Sequence, residues 1–322
     1  MESDMSKLRV GVVGVGYLGK FHAQKYRNMP DVELVGVVDT NETQARSVAD
    51  DNATAWYRDH PSLVGKVDAV SIAAPTPAHF DIAKSFLQND VHVLIEKPIT
   101  SVLDDADELI QIADTRGLII QVGHLERFNP AVVALEGKIH QPRFIESHRL
   151  SIFQGRCTDV SVVLDLMIHD IDLIHNLVAS EIKSVNAAGI SVISGNIDIA
   201  NARLEFANGA VANVTASRIS AKNERKLRLF QENAYFSIDF ANHDITFVHP
   251  DASQSTGVIP GMKIEQLHFG KGDALDDELK SFVQSVRQQR QPLVTGRMGR
   301  DALKTALSIM AQIKESSRHL AC

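Results

Sequence analysis

The sequence predicts an α/β protein: an N-terminal doubly wound parallel sheet, then a C-terminal α+β domain built on a large, mostly antiparallel open sheet. Three observations carry this. From Leu8 to about Val122, short runs rich in Val and Ile alternate with helical patterns, as expected of parallel strands covered by helices on both faces. After Gly123 the apolar runs change to period-two alternation, the mark of strands with one buried face. Between two of these lies Asn208-Gly209, a strong hairpin signal.

In chain order, the first-domain strands are "RVGVVG", "ELVGVVD", "DAVSIAA", "HVLIE" and "LIIQVG". The segments between them are long enough for crossover helices. The helix after "EKPIT" is expected to be capped by Ser101, with Asp104 three residues on and Gly117 past its end. Beyond Gly123, Asn129 and Pro130 open a short helix, "PRFIESHRLS" reads as a strand, and a helix runs from about Val162 to Val178. The strands "IANARLEF", "AVANVTASRI", "KLRLFQ" and "AYFSIDF" follow. Helices at about Asp273 to Gln288 and Met298 to Arg318 close the chain. The domains are therefore placed at 1–123 and 124–322.

A net charge of -7 offers no basic stripe for a phosphate backbone, so nucleic acid is not expected as a partner. The two cysteines, Cys157 and Cys322, are too few for a disulfide framework or a zinc cluster, and Cys157 reads as a packed thiol. The longest apolar runs are strand-sized, so no membrane partner is expected and a cytoplasmic setting is.

The chemistry begins in "KLRVGVVGVGYLGKFHAQKY". Gly14, Gly16 and Gly19 form G-x-G-x-x-G between the first strand and the first helix. The first glycine permits a tight turn, the second lets backbone approach a pyrophosphate, and the third lets helix and strand pack closely. Such turns also serve purely structural ends, but here Asp39 closes the second strand twenty residues after Gly19, where an acid can receive ribose hydroxyls. The cofactor is therefore expected to be NAD, held by Gly14, Gly16, Tyr17, Leu18, Gly19, Asp39 and Thr40. NADP is disfavoured because the carboxylate repels a 2′-phosphate and no Arg or Lys follows Asp39 before Arg46.

Two further loops leave carboxyl ends of strands: "AAPTPAH", with Ala74, Pro75, Thr76 and His79, and "IEKPIT", with Glu96 and Lys97. Ligands of open α/β sheets collect there, though an ordinary turn accounts for the first loop equally well. Lys97 is placed to act on a substrate hydroxyl, or else is a solvated strand-end lysine. In "VVLDLMIHDIDLIHNLV" Asp165 and His169 stand four residues apart, so that His169 can serve as general base with Asp165 orienting it. A hydrogen-bonded buried helix face is the alternative. No metal is expected: His175 is six residues from His169 and faces another way.

In order and spacing, "GVVGVGYLGKFHA", "VVD", "APTPAH", "EKPIT" and "DLMIHD" resemble the Gfo/Idh/MocA oxidoreductases, the glucose-fructose oxidoreductase and inositol dehydrogenase family. The resemblance implies an N-terminal Rossmann domain and a C-terminal domain that supplies substrate contacts and, through its open sheet, a homodimer or homotetramer interface. It implies that Lys97, Asp165 and His169 surround the substrate hydroxyl, and that Thr76 and Glu96 line the cofactor cleft.

The segment "VGHLERFNPAV" is similar to the family members that oxidise the 3-hydroxyl of UDP-N-acetylglucosamine. Arg127, Arg149 and Arg156 then offer diphosphate contacts, unless they form ordinary ion pairs. Two other readings stand beside a nucleotide-sugar dehydrogenase. One is a dehydrogenase of inositol, another free polyol or an aldose. The other is a noncatalytic sensor of NAD and sugar, against which the retained Lys97, Asp165 and His169 weigh.

Overall fold

The computed structural model describes residues 6–154, 160–253, 259–270 and 272–320. They form two compact units. The first comprises the chain up to Leu125 together with Asp273–Leu303, and the second comprises Glu126–Gly272 and the chain from Lys304 on.

The first unit contains strands β1 (Leu8–Val13), β2 (Val32–Val38), β3 (Ala55–Tyr57), β4 (Ala69–Ile72), β5 (His92–Glu96) and β6 (Ile120–Gly123). Helices α1 (Gly19–Asn28), α2 (Glu42–Asp51), α3 (His79–Gln88) and α4 (Leu103–Arg116) connect them. All strand pairs are parallel, in the order β3-β2-β1-β4-β5-β6. The order reverses between β1 and β4, the place where ligands of open α/β sheets collect. The sequence pattern gave five of these strands. The short β3 was missed, its three half-exposed or exposed residues carrying no apolar run.

In the second unit, α5 (Pro130–Val133) precedes β7 (Phe144–Leu150), and α6 (Ile168–Val178) leads into β8 (Ile182–Ile190), β9 (Ile199–Phe206) and β10 (Val211–Ser217). The strands β11 (Glu224–Gln231), β12 (Ala234–Asp239), β13 (Asp244–Pro250) and β14 (Met262–His268) complete an eight-stranded sheet in the order β14-β13-β12-β11-β7-β10-β9-β8. Only the β7–β10 pair is parallel. Along β9, Ala200, Ala202, Leu204 and Phe206 are buried, while Asn201, Arg203 and Glu205 alternate to the other face. The hairpin at Asn208-Gly209 is present, Gly209 taking φ +84.

Two helices close the chain, α7 (Ala274–Gln288) and α8 (Gly296–Leu320). Both were foreseen, but α7 does not belong to the second unit as the boundaries 124–322 required. Its apolar side, Leu279, Phe282, Val283 and Val286, is buried in one cluster with Val10 and Val12 of β1 and with Ala23 and Tyr26 of α1. The first eight residues of α8 also fall in the first unit; Gly299 lies so close to β6 that a Cβ there would meet Val122 at 2.6 Å. The periodicity of α7 predicts a buried face but not which core receives it.

Two local expectations have different outcomes. Asn129 caps α5 by accepting from the Ala131 amide at 3.0 Å, as expected. Ser101 does not occupy the cap position of α4: the helix starts at Leu103 and the cap position is Val102, which makes no side-chain cap bond. No helix among the described residues is long and apolar enough to cross a membrane.

Phe282 is fully buried, so Phe282→Ala should cost about 3–5 kcal/mol, measured as a lower urea midpoint at unchanged slope. A loss below about 1 kcal/mol would contradict the placement of α7 in that core.

Candidate active site

The glycine turn is built as its residue types require. Gly14 takes φ +84, and a Cβ on it would stand 2.5 Å from the Ala74 amide nitrogen. A Cβ on Gly19 would stand 1.8 Å from the Gly14 carbonyl oxygen, so only hydrogen there lets α1 begin against the end of β1. Gly16 differs: it is exposed and a Cβ would meet nothing within 4 Å, leaving its backbone open to a ligand. The first turn of α1 has no side-chain cap and no acidic residue. Its unpaired amides and the positive end of the helix dipole suit a pyrophosphate.

Asp39, at the end of β2, fixes this turn. Its carboxylate accepts from the Val15 amide at 2.9 Å and from the Asn41 amide at 2.9 Å. Gln44 donates to the Val15 carbonyl at 2.9 Å, a brace that no sequence signal marked. The remaining acceptor capacity of Asp39 suits ribose hydroxyls, with exposed Thr40 beside it. Tyr17 is 72% exposed and meets Phe21 edge to face at 6.1 Å. Leu18 occupies the helix-cap position. These features fit a dinucleotide, and among the described residues no group of three or more metal-ligating side chains is present.

The loop after β4 holds Ala74 and Pro75, followed by a short 3₁₀ turn over Thr76–Ala78. His79 follows, but not as a group open to a cofactor. It is 1% exposed, with Nδ1 2.9 Å from the Pro98 carbonyl oxygen and Nε2 2.7 Å from that of Ala74. Burial lowers its pKa, an effect the two carbonyls oppose. The ring ties the loop after β4 to the turn after β5, which makes it a brace. Glu96 and Lys97 end β5, half-buried, and the Lys97-Pro98 peptide is cis. Glu96 Oε1 lies 3.1 Å from Nε2 of His22, a residue uninformative in the sequence.

The second unit carries the other predicted residues. Asp165 lies within a π-helical turn, Val163–Met167, that runs directly into α6 and His169. The sequence spacing assumed an ordinary α-helix throughout. The wider turn changes the angle between the two side chains, and such turns recur at functional sites. Both residues are half-buried. Asp170 and His175 are engaged elsewhere: Asp170 with Arg149, and His175 Nε2 with Thr305 Oγ1 at 2.9 Å.

The arginines separate. Arg149 is 4% exposed and forms a two-pronged pair with Asp170, Nε at 3.0 Å and Nη2 at 2.8 Å, while Nη1 reaches Glu126 at 2.8 Å. Burial works against its charge, but Asp170 and Glu126 more than reverse this and raise its pKa. Burial likewise works to raise the Glu126 carboxyl, and Arg149 outweighs it and holds the group below its usual range. Arg149 thus forms the ordinary ion pairs that were its alternative reading, and the expected diphosphate contact is withdrawn. Arg127 is equally buried, 5% exposed, but its ion partner Asp172 lies at 3.7 Å. Burial pulls the Arg127 pKa down, while Asp172 and Glu136 hold it up. Arg156 lies outside the described residues.

Comparison with known proteins agrees with this arrangement. Residues 8–124 match the model of the oxidoreductase family with an NAD-binding Rossmann fold, and 131–237 match the GFO/IDH/MocA C-terminal domain. The chain is 38% identical, over 96% of its length and 98% of the relative's, to UDP-N-acetylglucosamine 3-dehydrogenase of Acidithiobacillus ferrooxidans. A solved structure of that protein superposes with a TM-score of 0.90 at 36% identity, covering 97% of this chain and 99% of the other. The scyllo-inositol 2-dehydrogenase (NAD(+)) of Bacillus subtilis is 28% identical over 90% of this chain and 89% of its own. The glycine turn, the acid that ends β2 and the two-domain match together make this chain a member of the Gfo/Idh/MocA family of NAD-binding oxidoreductases.

Proposed function

We propose that this oxidoreductase uses NAD to oxidise a secondary hydroxyl of a nucleotide sugar, the 3-hydroxyl of UDP-N-acetylglucosamine. The observation that carries the substrate is the 38% identity to the dehydrogenase of that sugar, sustained over 96% of the chain, against 28% to the inositol enzyme. NAD is preferred to NADP because Asp39 holds a fixed negative charge where a 2′-phosphate would fall. Arg46, the first cation after it, pairs with Glu42 at 2.7 Å and stacks on Trp56 at 4.5 Å, which leaves it a poor phosphate ligand.

When bound, NAD supplies the acceptor for the hydrogen that leaves the sugar carbon. The chain itself must bind the hydroxyl and remove its proton. His169 is assigned as base, oriented by Asp165, while Lys97 holds the oxygen and lowers its pKa by its positive charge. Thr76 and Glu96 line the cofactor side. Arg127 is the diphosphate contact we retain, because its present ion pair is long and a second anion would improve its partnering. We further propose assembly as a homodimer or homotetramer through the alternating face of the large sheet that holds Asn201, Arg203 and Glu205.

Mixing the NAD-loaded protein with UDP-N-acetylglucosamine should produce a single-turnover burst of NADH absorbance. Free N-acetylglucosamine and myo-inositol should give none; turnover of the polyol with silence from the nucleotide sugar would replace the substrate. Lys97→Ala and His169→Ala should each lower the burst rate at least about 100-fold with NAD affinity retained, and an unchanged rate in both would contradict these roles. Arg149→Met should act on stability, losing about 3–5 kcal/mol because Asp170 and Glu126 are left buried and unpaired. A raised KM for the nucleotide sugar at full stability would restore Arg149 as a ligand.

A further inference from the structure

Asp198 and Arg218 are buried in the second unit, and neither has a part in the chemistry assigned above. Asp198, directly before β9, is fully buried. Its Oδ2 accepts from the amides of Val192, Ile193 and Ser194 at 2.8, 2.7 and 2.9 Å, and its Oδ1 accepts from the Ser194 hydroxyl at 2.6 Å. Burial works to raise this carboxyl, but the Ser194 hydroxyl and the three amides outweigh it and hold the group below its usual range. One ionised side chain therefore organises the connection from β8 to β9.

Arg218, directly after β10, is 5% exposed. Its amide donates to the Asp198 carbonyl at 3.0 Å, and its Nε lies 3.9 Å from Asp198 Oδ1. Its Nη2 donates to the Val160 carbonyl at 2.6 Å.

The two residues converge on Ser161. The Val162 amide donates to the Ile197 carbonyl at 2.9 Å, so both neighbours of Ser161 are held: Val160 by the Arg218 side chain, and Val162 by the loop that Asp198 organises. Ser161, 4% exposed, starts the π-helical turn. Its carbonyl accepts from the amides of Leu164 and Asp165 at 3.1 and 3.0 Å, and its hydroxyl from the Val163 amide at 3.2 Å. The position of Ser161 thus sets where the turn begins. Beyond His169, Asp170 is paired with Arg149, so the stretch that bears Asp165 and His169 is anchored at both ends. A π-helical turn departs from the hydrogen-bond pattern of the helix it joins, and an anchor at its entry fixes which residues it includes.

We propose that Asp198 and Arg218 are positioning residues for the catalytic pair: they clamp the backbone on both sides of Ser161 and so set the placement of Asp165 relative to His169. The roles of Asp165 and His169 rest on the dehydrogenase reading above; the clamp does not.

The test compares variants of the NAD-loaded full chain in a single-turnover burst with UDP-N-acetylglucosamine. The amplitude counts folded sites, whereas the rate constant reports the chemistry. Arg218→Met should lower the rate constant at least about tenfold, with the half-saturating sugar concentration within about twofold of the parent's. Arg218→Lys, which keeps a donor for the Val160 carbonyl, should recover most of that loss. Hydrogen exchange without substrate should show amides 161–169 of Arg218→Met exchanging at least about tenfold faster than in the parent, with β4 unchanged. If Arg218→Met does not fold, Asp198→Asn carries both measurements, because the carboxamide keeps the shape of the acid and an oxygen for the three amides.

A rate constant within about twofold of the parent's, a loss confined to the amplitude, or parental exchange over 161–169 would overturn the proposal. If the parent oxidises no sugar, the dehydrogenase reading falls and the catalytic role of the clamp falls with it. The exchange measurement decides the clamp itself in either case.

Discussion

The interaction on which the rest of the candidate site depends is the contact between Gly14 and Gly19. The carbonyl of the one occupies the space where the other would carry a side chain. This lets the first turn of α1 begin directly at the end of β1, which directs unpaired amides over the carboxyl edge of the sheet. Asp39 and Gln44 then hold Val15 from both sides, through its amide and its carbonyl. The loop after β1, the loop braced by His79 and the Glu96-Lys97 turn all lie at this same sheet edge, because six parallel strands end there together.

The buried charges of the two units obey one rule. Arg149 is stable in the interior because two carboxylates surround it, whereas burial pushes the Glu278 carboxyl well above its usual range. A charge taken from water must find a partner or be neutralised. Glu96 lies between these cases, partly exposed and 3.1 Å from the His22 ring nitrogen.

What the sequence made legible is what short-range physics determines. The glycine turn, the acid at the end of β2, the Asn129 cap and the Asn208-Gly209 hairpin each arise within a few residues, and all are present in the fold. The strands β8, β13 and β14 escaped notice. In β14 nearly every side chain is exposed, so no buried period marks it. The return of α7 to the first core, the pairing of Arg149 with Glu126 and Asp170, and the burial of Glu278 depend on partners far away in sequence. Local pattern predicts that α7 has an apolar side and that Arg149 needs an anion, but not which ones. The π-helical turn at Asp165 was hidden for a related reason, since a four-residue spacing reads as regular helix until the backbone is seen.

The most direct test of the central claim is a calorimetric titration of Gly19→Ala with NAD, with far-UV circular dichroism recorded alongside. The added methyl group cannot coexist with the Gly14 carbonyl at its present position, so α1 must shift away from the strand end. The account predicts retained secondary structure with NAD affinity reduced at least about tenfold, a loss of about 1.4 kcal/mol or more. Parental affinity in a folded Gly19→Ala protein would contradict it, because the close start of α1 would then not be what binds the dinucleotide.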